Sequence, residues 1–374
     1  MRGELHVMMR KIGVASLVSL LTFPAFASPQ LPRGQESPRA TPPPGQSQAP
    51  QQGRIIVVTK QVVVPVTVKN HDGGLVADLQ KDEFRVFADG MEQKILTFTA
   101  EPFPLSAVIL IDNDLAQKQA EEVQKSLTTV SAGFGPNDEA ALVAFSEYST
   151  VLQDFSSNND DLFTRLKRMQ IGQHSSSVAT GPTSTPGPVI NGNTSPTSTP
   201  QTAVGIPLHG SGRYQTDTAL NDALYEAANM FQERQRNRRK IIFLISDGSN
   251  SRQNRHTFNE TARELLRQDV SVYSISVSRS IPAPVGKSLI ERGQAELQKY
   301  AVDTGGDTFY AGKQDDLERL YSNVTEEARN QYTLTFEPSG VDKSHDFHPI
   351  EVRVKRPGLN ILSRQGYYDS GVAR

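Results

Sequence analysis

The 374-residue chain contains no cysteine. Neither a disulfide staple nor a lipid-modified cysteine behind an export signal is open to it. It also lacks a charge imbalance, with 39 Lys and Arg against 41 Asp and Glu and a formal charge of -2. That balance gives no basis for a nucleic-acid partner or for an anionic membrane recognised over the whole molecule. Hydrophobic residues are scarce at 36%. The apolar run from Ile12 to Phe23 falls short of the ~20 residues that span a bilayer, so no transmembrane segment is expected in the mature chain. What is plentiful is proline and glycine, 23 and 27 residues. Their excess implies unfolded stretches that dilute an ordinary core. The length sets an expectation of roughly two domains, one core dominating.

Arg2, Arg10 and Lys11 precede the apolar run, and Ala25-Phe26-Ala27 ends it before Ser28. Charge, hydrophobic stretch and small-residue cleavage site in that order read as a signal peptide over residues 1–27. Export, to the periplasm or beyond, is the expectation. Residues 28–53 are Pro, Gln, Gly and Ser with little to bury and read as a tether. From residue 54 the texture changes. The β-branched runs Ile55 to Val58 and Val62 to Val68, a turn at His71-Asp72-Gly73-Gly74, and strands Phe84 to Ala88 and Gln93 to Phe98 around Asp89-Gly90 predict a small β unit over 54–100. His71 and Asp72 read as turn residues beside two glycines.

After Pro104 strands and helices alternate. Strands are expected at Ala107 to Ile111, Ala140 to Phe145, Val151 to Phe155, Ile241 to Ile245, Val270 to Val277 and Thr308 to Tyr310. Helices are expected before Phe134, at Ala219 to Gln235, Phe258 to Arg267 and Leu289 to Val302, and before Asn330. Alternation of this kind predicts parallel pairing and right-handed crossovers, with ligands at the carboxyl ends of strands. Two such ends are acidic: Asp112-Asn113-Asp114 and Ser246-Asp247-Gly248. Between them residues 171–213, rich in Ser, Thr, Pro, Gly and Asn, read as a disordered insertion that emerges on the same face. Residues 331–374 give alternating strands again, Tyr332 to Phe336, Pro349 to Lys355 and Ile361 to Arg364, suited to pair with the first β unit.

The strand ending in Asp112-x-Asp114-x-Ala116, the start Thr218-Ala219-Leu220-Asn221-Asp222-Ala223-Leu224, and Ile245-Ser246-Asp247-Gly248 together resemble the von Willebrand factor A domain. The flanks, Asp82 to Ile95, Gln331-Tyr332, and Arg356-Pro357-Gly358 to Gly366-Tyr367-Tyr368, resemble exported von Willebrand factor A-related proteins of an acidobacterial type. The resemblance covers nearly the whole mature chain. It implies an α/β fold of von Willebrand factor A-like (Rossmann-like) type, an open, mostly parallel sheet flanked by helices over residues 105–330, with a small β unit formed by both flanks. It also implies a metal-ion-dependent adhesion site at Asp112, Asp114, Thr218 and Asp247, with Mg²⁺ preferred and Mn²⁺ or Ca²⁺ as substitutes. The chain departs from the Asp-x-Ser-x-Ser pattern, because Asp114 and Ala116 stand where serines are usual. A third carboxylate partly neutralises the cation's appetite for a partner's acid. The expected role is a non-enzymatic binding module that holds a protein ligand in the envelope or extracellular space. The alternative is a metal-free scaffold that binds through its β flanks.

Other motifs carry less. Pro284-Val285-Gly286-Lys287-Ser288 lacks the first glycine of a phosphate loop and reads as a helix entrance. His345 and His348 lack a third ligand. No Gly-x-Ser-x-Gly elbow is present, and Ser246 and Ser249 have no evident histidine partner. The cluster Arg234, Arg236, Arg238, Arg239 and Lys240 reads as cations meeting a helix end.

Overall fold

A computed structural model describes residues 61–172, 218–235, 237–277, 285–311, 317–342 and 344–369, with backbone alone over 285–289. All of these lie in one compact unit, Val58–Arg374. The expected signal peptide, the tether, the strand Ile55 to Val58, the body of the insertion, Arg236 and Pro284 fall outside the described residues.

The chain begins with β1 (Val62–Lys69), β2 (Phe84–Ala88), β3 (Met91–Gln93) and β4 (Ile95–Thr99). The α/β portion follows with β5 (Leu105–Asp112), α1 (Gln117–Ser126), β6 (Glu139–Phe145), β7 (Ser149–Ser156), α2 (Asn159–Arg168), α3 (Leu220–Asn229), β8 (Arg239–Ser246), α4 (Phe258–Arg267), β9 (Val270–Ser276), α5 (Val285–Thr304), β10 (Thr308–Tyr310) and α6 (Leu317–Arg329). The chain returns to β structure with β11 (Tyr332–Phe336), β12 (Phe347–Val354), β13 (Asn360–Ser363) and β14 (Gly366–Tyr368).

Six strands in the order β10-β9-β8-β5-β6-β7 form the central sheet, parallel except for the antiparallel edge strand β7. The continuous apolar run of β5 follows from this position. Leu105, Ala107, Ile109 and Ile111 enter the core on one face, Val108 and Leu110 the core on the other. A strand covered by helices on both sides needs no polar face. β8 is divided the same way, with Ile241, Phe243 and Ile245 against Ile242 and Leu244.

The flanks make two further four-stranded sheets, β13-β1-β11-β4 and β14-β12-β2-β3. Their inner faces share one core of Val62, Val64, Val66 and Val68, Phe84 and Val86, Tyr332, Leu334 and Phe336, and Ile350 and Val352. Each fully buried side chain of this size contributes about 1.5–3 kcal/mol. The expected pairing of the N- and C-terminal flanks is thus the observed one: Val64 lies opposite Leu334 and Val86 opposite Val352.

Buried cations fasten this sandwich to the amino ends of the parallel strands. Arg239, at the start of β8, donates to the carbonyls of Ala328 (2.7 Å) and Gln331 (3.1 Å) and to Thr333 Oγ1 (2.8 Å). Lys69 of β1 reaches Asp307 and Glu327, each at 2.5 Å. Arg364, after β13, pairs with Asp269 at 2.5 Å and donates to the Leu266 carbonyl.

Several local expectations need correction. The single strand expected over Gln93 to Phe98 is two: β3 closes a hairpin on β2, and β4 crosses to pair with β11 in the other sheet. Gln93 marks the corner, its buried amide donating to the carbonyls of Met91 and Ser339 (both 3.0 Å). The helix before Phe134 ends at Ser126 and continues as a 3-10 segment, Leu127–Gly133. The helix expected from Ala219 to Gln235 stops at Asn229. Helix α2 was not anticipated from sequence, although Asn158 accepts hydrogen bonds from Asp160 N and Asp161 N as its cap. Ile171, placed by sequence in the insertion, is 8% exposed and packs in the core.

Candidate functional site

β5 and β8 are parallel neighbours, so their carboxyl ends lie side by side. Asp112 is the last residue of β5 and Asp247 follows the last residue of β8. Both are buried, as is Thr218 just ahead of α3. Asp112 Oδ1 accepts the Asp114 backbone N–H at 2.8 Å, which turns the chain sharply after the strand. Asn113 N–H donates to the Phe145 carbonyl at 2.7 Å and pins that turn to the end of β6. The Thr218 segment is pinned on both sides: Ala219 N–H donates to the Ser146 carbonyl and Ser251 N–H to the Thr218 carbonyl, each at 2.7 Å.

Side chains then join the three loops. Thr218 Oγ1 donates to Asp114 Oδ2 at 2.8 Å, and Ser246 Oγ donates to Asp112 Oδ2 at 2.7 Å. Asp247 Oδ1 accepts the Ser249 N–H at 2.8 Å. The four residues singled out by sequence therefore lie together. Burial, then the charge of Asp247 and to a smaller degree that of Asp114, push the Asp112 carboxyl up to about 8, against the opposing hydrogen bonds from Ser246 and the Asp114 N–H. Ala116, at the N-cap position of α1, supplies no side-chain cap and no oxygen to the centre.

Sequence reasoning missed the scaffold beneath these residues. Ser246 reads from sequence as a strand end and as a serine without a histidine partner, yet its hydroxyl is the direct partner of Asp112. Gly248 has φ +77°, and a Cβ there would fall 2.1 Å from the Gly293 carbonyl oxygen; a Cβ on Gly293 would fall 2.4 Å from the Asp247 carbonyl oxygen. The Asp247 loop thus rests directly on the backbone of α5. A glycine inside a helix costs about 1 kcal/mol relative to alanine, and that local penalty was the available signal. Three amides complete the support. Asn250 donates to Asn221 Oδ1 (2.7 Å) and Glu296 (3.1 Å), Tyr300 OH donates to the same Asn221 oxygen (2.8 Å), and Asn254 donates to Asn250 (2.7 Å). Beside them Asp222 accepts from the backbone and side chains of Arg255 and His256. Burial works against its charge, but these donors outweigh it and hold its carboxyl below the usual range.

The remaining motifs lie elsewhere. His348 is fully buried and bonds Asp89 at 2.8 Å, whereas exposed His345 pairs with Asp342, so the two imidazoles serve separate contacts. Arg234 and Arg238 pair with Glu139, and Lys240 donates to the Phe231 carbonyl beyond the end of α3. Val285 opens α5, as a helix entrance should.

The donor set is all oxygen, which suits a hard divalent cation that keeps several waters. Thr218 and Ser246 direct their hydroxyl protons at carboxylates, and Ser246 Oγ in turn accepts the Gly248 N–H at 3.0 Å. Among the described residues no three His, Cys, Asp or Glu side chains form a metal-holding group by themselves. A cation here would need the Thr218 hydroxyl and solvent as well as carboxylates.

A mostly parallel sheet flanked by helices, with acids and a threonine gathered at its carboxyl edge, defines a von Willebrand factor A-type α/β fold. A family model of the von Willebrand factor type A domain matches residues 190–323. That span contains Thr218 and Asp247 but not Asp112 or Asp114, which the sheet itself brings to the same place. Domains of this type generally mediate protein–protein interaction and often bind a divalent metal. Among solved structures, von Willebrand factor type A from Catenulispora acidiphila is 9% identical with a TM-score of 0.43, the match covering 84% of this chain and 76% of that one. An aerotolerance-related membrane protein from Bacteroides fragilis is 13% identical with a TM-score of 0.39, over 60% of this chain and 99% of that one. Proximal thread matrix protein 1 from the mussel byssus, with a zinc-occupied MIDAS motif, is 14% identical with a TM-score of 0.38, over 64% of this chain and 49% of that one. No curated protein matches the chain. Among the described residues no helix is long and apolar enough to cross a membrane.

Proposed function

We propose that this protein is an exported, non-enzymatic binding module that holds a protein ligand of the envelope or extracellular space against the carboxyl edge of its α/β sheet. One observation carries the reading: Asp112, Asp114, Thr218 and Asp247 converge from three separate loops, with hydroxyl and backbone donors bracing their carboxylates. Asp112, Asp114, Thr218 and Asp247 would hold Mg²⁺, with Mn²⁺ or Ca²⁺ as substitutes, and the cation would supply an electrophilic point for a partner's oxygen. Were all three carboxylates ionised near it, such a cation would have no net positive charge left over. It favours a neutral carbonyl or hydroxyl of the partner over a carboxylate. The resemblance of the flanks to exported acidobacterial-type relatives supports the location.

The test is titration calorimetry of the full chain and of Asp247→Ala with Mg²⁺, Mn²⁺ and Ca²⁺. Heat with the first protein and none with the variant is the expected result. Absence of heat and of thermal stabilisation with every cation sinks the metal part of the reading. A second reading, a metal-free scaffold, is favoured by one observation: an Asp112 carboxyl raised to about 8 is largely protonated at neutral pH, which lowers the charge of the centre without a metal. Partner capture that survives both chelator and Asp112→Ala supports that alternative.

A further inference from the structure

A second surface lies away from the acidic centre. A cavity of about 820 Å³ opens between α1 and the end of α2. Its floor is apolar: Ala120, Met169 and Ile171, which are 4%, 7% and 8% exposed. Its rim is cationic, with Lys125 from the last turn of α1 and Lys167 and Arg168 from the last turn of α2, all three exposed. Among the described residues none of the three is held in an ion pair. The one acid on the rim, Glu121, accepts a hydrogen bond from Gln117 at 3.1 Å.

We infer that this groove is a docking site for an acidic segment of a partner protein, one that sets apolar side chains on the floor and carboxylates against the rim. Charge complementarity selects the occupant. The long stretches of this chain outside the described residues do not supply it: residues 173–216 contain no Asp or Glu, and residues 28–60 contain only Glu36. The groove also runs toward the carboxyl edge of the sheet. Gly172, at its end, donates its N–H to Asn113 Oδ1 at 3.3 Å, beside Asp112. A partner seated in the groove could therefore extend to the centre described above. Docking in the groove itself rests on different residues and needs no cation.

The experiment is fluorescence anisotropy of a labelled peptide of alternating Glu and Leu, titrated with the full chain in chelator. A Lys and Leu peptide and inorganic polyphosphate are run alongside. Binding of the acidic peptide alone is expected, weakening about tenfold from low to high salt as screening removes the attraction. The variant Lys125→Glu/Lys167→Glu/Arg168→Glu should lose about tenfold or more, and Asp247→Ala should leave affinity unchanged. If the triple variant proves unstable in a melting curve, the milder Lys125→Gln/Lys167→Gln/Arg168→Gln set decides. Equal binding by the charge variants, equal binding of the basic peptide, binding of polyphosphate alone, or no binding overturns the inference. Loss of binding in Asp247→Ala would transfer the peptide to the acidic centre and also overturn it.

Discussion

The two edges of the central sheet treat charge in opposite ways. At the amino edge Arg239, Lys69 and Arg364 are buried, and each meets carbonyls or carboxylates in fixed positions. At the carboxyl edge the buried charges are acids, Asp112 and Asp247, which accept hydrogen bonds from the Ser246 hydroxyl and the Ser249 N–H. The first edge joins the β sandwich to the α/β sheet. The second carries like charges close together, an arrangement that costs stability and is typical of places kept for binding. The length of the strands separates the two edges, so the proposed binding edge and the joining edge can be altered independently.

The largest effect is expected from Lys69→Met. Removing one member of a buried ion pair costs about 3–5 kcal/mol. Burial pushes Glu327 up from 4.5 to about 7 even with Lys69 beside it. A carboxyl raised in the folded state lowers stability as pH climbs from its unfolded value through its folded one. The variant's urea unfolding free energy should therefore fall furthest below the parent above pH 7 and least near pH 4.5, with cation heats unchanged. A pH-independent loss breaks the account of this edge.

Asp112→Asn should do the reverse at the other edge. Without cation the parent loses stability, on the order of a few kcal/mol, as pH rises from 3.8 toward about 8, and the variant's melting profile should be flatter. Excess Mg²⁺ should restore the parent near pH 8 and do nothing for the variant. Parallel profiles would mean that Asp112 is not the strained group. Gly293→Ala, whose Cβ would press 2.4 Å from the Asp247 carbonyl oxygen and displace that loop, should cost about 1–3 kcal/mol and abolish cation heat while leaving the Lys69-dependent pH profile intact. Smallest is Asn250→Ala, at about 1 kcal/mol by thermal melting. It should weaken cation binding only modestly, because Asn221 keeps its bond from Tyr300.

Strand positions in the α/β portion were legible because β5 and β8 are apolar on both faces and end in acids. The Asp89-Gly90 hairpin was legible because both residues take positive φ, 49° and 75°. The switch of β4 into the other sheet was not, since an alternating run looks the same whichever strand it pairs with. The four candidate site residues could be named from the resemblance of their motifs to the von Willebrand factor A domain. Their supports could not: Ser246, Asn221, Asn250 and Gly293 come from different elements, and nothing in one sequence says that a helix glycine lies under a loop more than forty residues away. The amino-edge cations were visible as basic residues, but their acceptors are mostly backbone carbonyls, which leave no sequence trace.

One consequence of the strand order concerns time. β1 pairs on both sides with strands from the far end of the chain, Val62 with Phe336 and Lys69 with Asn360. Its neighbours are therefore the last strands to be made, and loop closure over the whole α/β portion must precede their pairing. The sheet that carries the acidic edge can form first; the sandwich then closes over its opposite edge, with Lys69 and Arg239 meeting their acceptors only at that late step. Refolding should accordingly show a fast phase reporting the α/β core and a slower one reporting the burial of Tyr332.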